Sequence, residues 1–359
     1  MRIMIISTVG LIYDGITNVI LSTIEAMDRS DLDIYIVETI RAEKSIKNRF
    51  AELGCKIVSL PDRRSEPVKY FNELKKAIQK NKIDVIHANG NSATLTVEMI
   101  AALLGGCKKR IAHSHNTKCD WVKTDKILRP FFYHTYTDAL ACGTDAGRWL
   151  FKDRPFTVVK NGRNIEKYRF DPVKRELMRR QLGIEDKLAV AHVGGFFAQK
   201  NHELLIRIFA SIADMESDAV FYIVGDGILK DRVIEQVRDL GLEDRVIFTG
   251  DLDNVNDYLQ AFDIMLLPSL FEGLPLAAVE WQLCGLPCLF SDRITRECVL
   301  FENVRFCSID DPAGMWAKEA LKLDRNNREK FSDMAIVEAG NKGYDINDSA
   351  RILKSIYIR

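Results

Sequence analysis

Strand-like and helix-like stretches alternate along the whole of this 359-residue chain, and that alternation restricts the fold more than any other feature. Short runs rich in Val, Ile, Leu and Phe occupy residues 2–7, 34–38, 56–60, 85–88, 110–115, 139–143 and 157–160. A second set follows at 188–193, 220–224, 246–249, 264–268, 287–291 and 305–308. Several are apolar almost throughout, the pattern of strands buried on both faces of a parallel sheet. Between them lie stretches such as Pro67–Asn81 and 201–213, with apolar residues at three- and four-residue spacing. Strand–helix alternation repeated six or seven times, twice over, predicts two doubly wound α/β domains facing a cleft. The polar stretch 161–166 marks the boundary, giving domains over 1–165 and 166–344. An amphipathic helix within 345–359 is free to pack back on the first domain.

Composition removes other classes. The longest apolar runs, such as Ile264-Met265-Leu266-Leu267, are far short of the ~20 residues of a membrane span, and the first residues read as a strand rather than a secretory leader. The eight cysteines lie mostly in apolar runs and form no Cys-x-x-Cys pair, so reduced, buried thiols are expected, with no zinc. The expected location is cytoplasmic. Net charge is zero, yet residues 1–165 carry 26 Lys and Arg against 18 Asp and Glu, and the remainder carries the reverse excess. A basic first half could face an anionic partner, with peripheral membrane contact one option; nothing points to nucleic acid.

In doubly wound sheets, ligands sit beyond the carboxyl ends of the strands. Neither domain has a G-x-G-x-x-G fingerprint. The first has Gly10-Leu-Ile-Tyr-Asp-Gly15 before a helix starting near Ile16; the second has Gly194-Gly195-Phe-Phe-Ala-Gln-Lys200-Asn201-His202. A glycine pair permits close backbone approach, a following helix N-terminus favours phosphate, and Lys200 adds a cation. The sharpest loop runs from Leu267 to Glu280. Glu272 precedes Gly273, Pro275 stands where a first helical residue would, and Glu280 falls in the second turn. Two carboxylates flanking the free amides of a helix start suit sugar hydroxyls and phosphate respectively.

Glu272-x(7)-Glu280 within Phe-Glu-Gly-Leu-Pro resembles the donor motif of the retaining family-four glycosyltransferases of GT-B fold, two Rossmann-like domains facing a cleft. Ala112-His113-Ser114-His115-Asn116 looks like the family's catalytic-site histidine loop, and Val159-Lys160-Asn161-Gly162 like its interdomain turn. Residues 223–227 and 246–250 resemble its nucleotide-side strands. His-Ser-His-Asn, Gln-Lys-Asn-His and Gly-Leu-Pro-Cys-Leu-Phe-Ser-Asp are most like the capsular and exopolysaccharide branch. The resemblance implies transfer of a sugar from a nucleotide diphosphate, UDP first among them, to a glycan or lipid-linked saccharide hydroxyl. It places the acceptor on the first domain and the donor on the second.

By that resemblance Glu280 binds the ribose and Glu272 the transferred sugar. Gly273, Leu274, Pro275 and Leu276 contact sugar and phosphate, while Lys200, Gly195 and Gly15 meet the diphosphate. His115 approaches the sugar's primary alcohol, and Val246 and Phe248 the base. His115, Glu272 and Lys200 form the catalytic set, with no cofactor and no metal. Phe196 occupies the position read as that of the family's usual loop arginine, and Arg163 and Asn164 replace the usual aliphatic residue and Asp. A GT-B epimerase or phosphorylase, or a sugar-nucleotide-binding pseudoenzyme, are the alternatives. Asp31-Leu-Asp33 and Asp251-Leu-Asp253 read as solvated turns. His113 alternates with His115 along a strand, which predicts that one of them faces away.

Overall fold

The computed structural model describes residues 1–359 apart from 13, 40–41, 120, 253 and 273. The chain divides into two compact units, 1–163 with 343–359, and 164–342. The first unit holds β1 (Arg2–Ser7), β2 (Asp33–Glu38), β3 (Lys56–Ser59), β4 (Val85–Gly90), β5 (Lys109–Ser114), β6 (Asp138–Ala141) and β7 (Thr157–Val158). They form one sheet in the order β3-β2-β1-β4-β5-β6-β7, each neighbouring pair parallel. The second unit holds β8 (Leu188–Val193), β9 (Ala219–Val224), β10 (Val246–Gly250), β11 (Ile264–Leu267), β12 (Cys288–Ser291) and β13 (Val304–Cys307). Their order is β10-β9-β8-β11-β12-β13, again parallel. In each sheet the order reverses direction beside the first strand, the place where such folds present ligand loops.

Local chemistry explains the elements. β4 and β9 are buried at every position, as strands covered by helices on both faces must be. The helix Pro67–Asn81 begins with proline, which lacks only an amide that the first turn leaves unpaired anyway. It buries Tyr70, Leu74 and Ile78 at four-residue spacing on the face toward the sheet. Truncating Leu74 to alanine there is expected to destabilise by about 2–5 kcal/mol. The helix Pro172–Leu182 is capped by the Asp171 carboxylate, which accepts from the amides of Val173 and Lys174 at 2.9 and 3.1 Å. It ends at Gly183, whose φ of 64° is the left-handed conformation glycine adopts without strain.

The last helix, Ile346–Ile358, belongs to the first unit. Leu353, Ile356 and Tyr357 join the apolar cluster of Ile16, Ile20 and Ile24 from the helix Gly15–Ala26. Lys354 seals the rim, with Nζ 2.8 Å from both the Asp28 and Asp31 carboxylates. None of the eight cysteines, all among the described residues, is in a disulfide, and burial pushes the thiols of Cys284 and Cys298 up to about 12, so these two stay protonated.

Candidate functional site

In the second unit, β8 and β11 end side by side and their loops are tied together, the Leu270 amide donating to the Gln199 carbonyl at 2.8 Å. At that junction Lys200 Nζ lies 2.7 Å from Glu272 Oε1, while Gln199 Nε2 donates to Glu272 Oε2 at 2.8 Å. The pair is largely shielded, with side chains only 17% and 8% exposed, so the charge-assisted bond is stronger than a surface pair. Glu272 precedes the helix Leu276–Leu283, and Glu280 stands half-buried on its second turn. Pro275 is not the first helical residue: its ψ of 96° is extended and it serves as N-cap, having no amide to contribute. The amides of Leu276 and Ala277 then open the helix, with Leu274 half-buried just before it. Gly273 lies outside the described residues.

The glycine loop after β8 is packed against the loop after β9. A Cβ on Gly225, whose φ is 133°, would come within 2.5 Å of the Gly194 carbonyl oxygen. One on Gly227, whose φ is 157°, would come within 2.7 Å of the Phe196 amide nitrogen. Phe196 itself corrects the sequence reading. Its ring is fully buried in the unit's core and stacked on His202, centroids 4.4 Å apart, so an arginine there would point into apolar packing. The outward position is Gly195, over which the half-exposed Phe197 ring lies where a Cβ would be, 2.6 Å away. Val246 is buried in the same core, leaving its backbone for any ligand, and Phe248 packs against that core beside Phe196.

In the first unit, Gly15 opens the helix Gly15–Ala26 with nothing within 4 Å of an added Cβ. Asp14 caps that helix, accepting from the Thr17 amide at 2.8 Å, and burial raises its carboxyl above the usual range. β5 ends at Ser114, one residue sooner than the pattern suggests. Residues two apart along a strand share a face, so the expectation that one histidine faces away is not met: the rings of His113 and His115 lie together with centroids 4.2 Å apart. His115 Nε2 lies 2.8 Å from Asn89 Oδ1, and Asn89 Nδ2 donates to the Ile6 carbonyl at 3.3 Å. The second bond orients the amide, so His115 Nε2 carries the hydrogen and Nδ1 the lone pair. Burial lowers the pKa of His115 to about 4, with the Asn161 side chain acting weakly in the opposite direction.

Two sequence profiles match the chain: Glycosyltransferase Family 4 over residues 13–167, and Glycosyl transferases group 1 over 174–333. The chain is a family-four glycosyltransferase of GT-B fold. It is 27% identical to EpsF of Bacillus subtilis (strain 168), itself only provisionally named a glycosyltransferase, over 97% of this chain and 94% of that one. It is 28% identical to the Escherichia coli UDP-Gal:alpha-D-GlcNAc-diphosphoundecaprenol alpha-1,3-galactosyltransferase, over 80% and 79% of the two chains. Anabaena HepE, solved in complex with UDP, shares the fold with a TM-score of 0.81 at 18% identity and full coverage of both chains.

Several other charged side chains of this glycosyltransferase are held by specific partners. Arg163 is buried, its backbone bridging to Asp345 and its Nη1 donating to the Gly162 carbonyl at 3.1 Å. Asp31 and Asp33 are taken by Lys354 and Lys56, and Asp253 lies outside the described residues. The helix Val122–Phe132 exposes Trp121, Val122, Ile127 and Phe131 beside the exposed Lys118, Lys123 and Lys126. Arg129 is not part of that surface set: it ion-pairs with Asp125 at 2.6 Å and donates to the Leu150 carbonyl at 2.7 Å. No described helix is long and apolar enough to cross a membrane. Gln199 and Asn89 were not singled out from the sequence. The signal available for each was a polar residue in a loop, or at a buried strand's carboxyl end, next to a candidate ligand residue.

Proposed function

We propose that this glycosyltransferase moves a sugar from a UDP-sugar to a hydroxyl of a glycan or lipid-linked saccharide in surface polysaccharide assembly, with retention and without a metal. The observation that carries this is the Lys200–Glu272 pair with Gln199 at the adjoining ends of β8 and β11. A cation suited to a diphosphate and an acceptor suited to sugar hydroxyls stand side by side, 2.7 Å apart, which supports a ligand carrying both groups. The UDP and UDP-glucose complexes of HepE and the galactosyltransferase relative support the choice of donor. Hexosyl and N-acetylhexosaminyl donors both fit the reading.

The chain's own residues would act as follows. Glu280 takes the ribose hydroxyls, and the backbone at Val246 and the Phe248 side face the base. The backbone at Gly195 and the amides of Leu274 and Leu276 meet the phosphates, with Gly273 in the same loop and Pro275 fixing its turn. Gly15 contributes backbone to the diphosphate from the first unit, and His115 the primary-alcohol contact. As the glycosidic bond breaks, charge grows on the departing phosphate oxygen. Lys200, released from Glu272, and the helix amides would stabilise that charge and so lower the barrier. Attack on the same face of an oxocarbenium-like centre would retain configuration. The exposed aromatic and lysine face of Val122–Phe132 would hold this cytoplasmic enzyme at an anionic membrane surface.

UDP titrations of two variants test this. Glu280→Ala should weaken UDP and intact donor alike, whereas Glu272→Ala should spare UDP and impair transfer. Equal loss of UDP affinity in both would overturn the division of roles. Turnover should survive excess EDTA; complete inhibition reversed by added metal would overturn the metal-free mechanism.

A further inference from the structure

Behind His115 a chain of buried polar groups runs back to the C-terminal helix. The Tyr357 hydroxyl lies 2.7 Å from His87 Nδ1, and His87 Nε2 lies 3.1 Å from His113 Nδ1. The His87 and His113 rings are stacked at 5.2 Å, and Tyr357, His87 and His113 are each at least nine-tenths buried. The direction of the chain follows from hydrogen counting. If Tyr357 donates, His87 is the Nε2–H tautomer, donates to His113 Nδ1, and leaves His113 Nε2–H as the free end. The reverse polarity strands the buried tyrosine hydrogen as well as a His113 lone pair, so it leaves two groups unsatisfied where the first leaves one.

Three atoms near the free end have no hydrogen-bond partner among the described residues: His113 Nε2, His115 Nδ1 and Asn161 Oδ1. By the assignments above they are one donor and two acceptors. All three residues line the same cavity of the first unit, about 20 Å³ in volume, whose wall also includes Lys160, Val19, Ile20 and Leu353. About 10–15 Å³ suffices for one water, which needs two to four polar partners. A water has one oxygen to accept from His113 and two hydrogens to give to His115 and Asn161.

We propose that this cavity is a binding site for a single structural water that closes a relay Tyr357–His87–His113–water–His115, making Tyr357, His87 and His113 positioning residues for His115. The relay fixes His115 as the neutral Nε2–H tautomer, with both ring nitrogens engaged and the loop that follows β5 held in one orientation. Burial acts in the same direction, lowering His87 to about 3 and His113 well below its ordinary value. The ring assignments stand on geometry alone; only the kinetic consequence rests on the proposed role of His115 in transfer.

Histidine-selective ¹⁵N NMR of the full chain tests the relay on six histidines. His87, His113 and His115 should all appear as Nε2–H tautomers at pH 7. Tyr357→Phe, which removes one oxygen and keeps the ring, should shift His87 and His113 toward mixed tautomers and move the His115 Nδ1 resonance. Ile356→Val, a comparable core change on the same helix, should move none of them. A high-resolution crystal structure should show one water within hydrogen-bond distance of the three atoms. With UDP-sugar as donor, Tyr357→Phe should lower kcat about 3- to 10-fold, the range of one hydrogen bond, and leave the donor KM unchanged. A Nδ1–H tautomer at His115, ring resonances indifferent to Tyr357→Phe, or a dry cavity would each overturn the relay. Altered ring resonances with unchanged kcat would leave the relay standing and remove His115 from the transfer step.

Discussion

The two units prepare their sites with opposite electrostatics. In the second, Lys200 and Glu272 form a largely shielded ion pair at 2.7 Å. In the first, His115, His113 and His87 are rings that burial keeps neutral and that hydrogen bonds hold in one tautomer. The difference follows from surroundings. The second site lies where two loops meet beyond the strand ends, and the carboxylate there has both a cation and an amide donor. The first backs onto a cluster of Ile, Leu and Val side chains, where an imidazolium would have no counter-charge.

The largest expected effect breaks the charged site. Lys200→Ala should lower turnover by about 10²-fold or more, as loss of a preorganised transition-state donor does. It should also weaken UDP, whereas Glu272→Ala frees Lys200 and should leave UDP binding equal or tighter in isothermal titration. Weaker UDP binding by Glu272→Ala would mean the pair is structural rather than competitive with phosphate.

Next come the backbones that carry the two sites. Gly225→Ala meets a carbonyl at 2.5 Å in a conformation reserved for glycine, and should lose about 1–3 kcal/mol or more in urea unfolding. Gly15→Ala meets open space at the first position of a helix, so stability should hold or rise by up to about 1 kcal/mol. Activity should nevertheless fall if backbone at Gly15 touches the diphosphate. Full activity in Gly15→Ala would remove it from the site.

Acid should find the neutral site through its histidines. Their folded pKa values lie below the ordinary 6.5, so between about 4 and 6.5 the unfolded chain binds more protons than the folded one. The stabilisation is therefore fully present above pH 6.5 and lost as pH falls toward 4. His202 in the second unit, also lowered to about 4 by burial, adds to the same slope. Urea midpoints measured from pH 7.5 to 4.5 should fall steeply below 6.5, and His87→Gln should be less stable at pH 7 but flatter in that window. An unchanged slope would mean the histidines titrate normally.

The smallest effect concerns the surface. Neutralising Lys118, Lys123 and Lys126 should reduce co-sedimentation with anionic vesicles, more at low salt than at high, because exposed charges are screened over ~10 Å at 0.1 M. Arg129→Gln should instead lower stability, since its partners are Asp125 and backbone carbonyls. Unchanged vesicle binding in the triple variant would reduce that face to an ordinary helix surface.

Strand after strand was legible from sequence because the signal is local: four to six apolar residues in a row can be buried on both faces only between helices. The thirteen strands among the described residues lie where such runs occur, with no end moved by more than two residues. The glycine stop at 183 and the carboxylate flanking the helix 276–283 were legible for the same reason, a conformational or charge preference of neighbouring residues. What tertiary structure alone decided is which side chains meet. Phe196 turns inward because the loop after β9 holds its backbone, a contact between different strand ends. His113 meets His87, and His115 meets Asn89, because β4 lies beside β5 in the sheet, a pairing that neither strand's sequence contains. Lys200 and Glu272 are 72 residues apart, and His87 and Tyr357 are 270 apart. Periodicity along a chain records how each segment will be buried; it carries no information on which distant segment supplies the partner, and hydrogen bonds are made to partners.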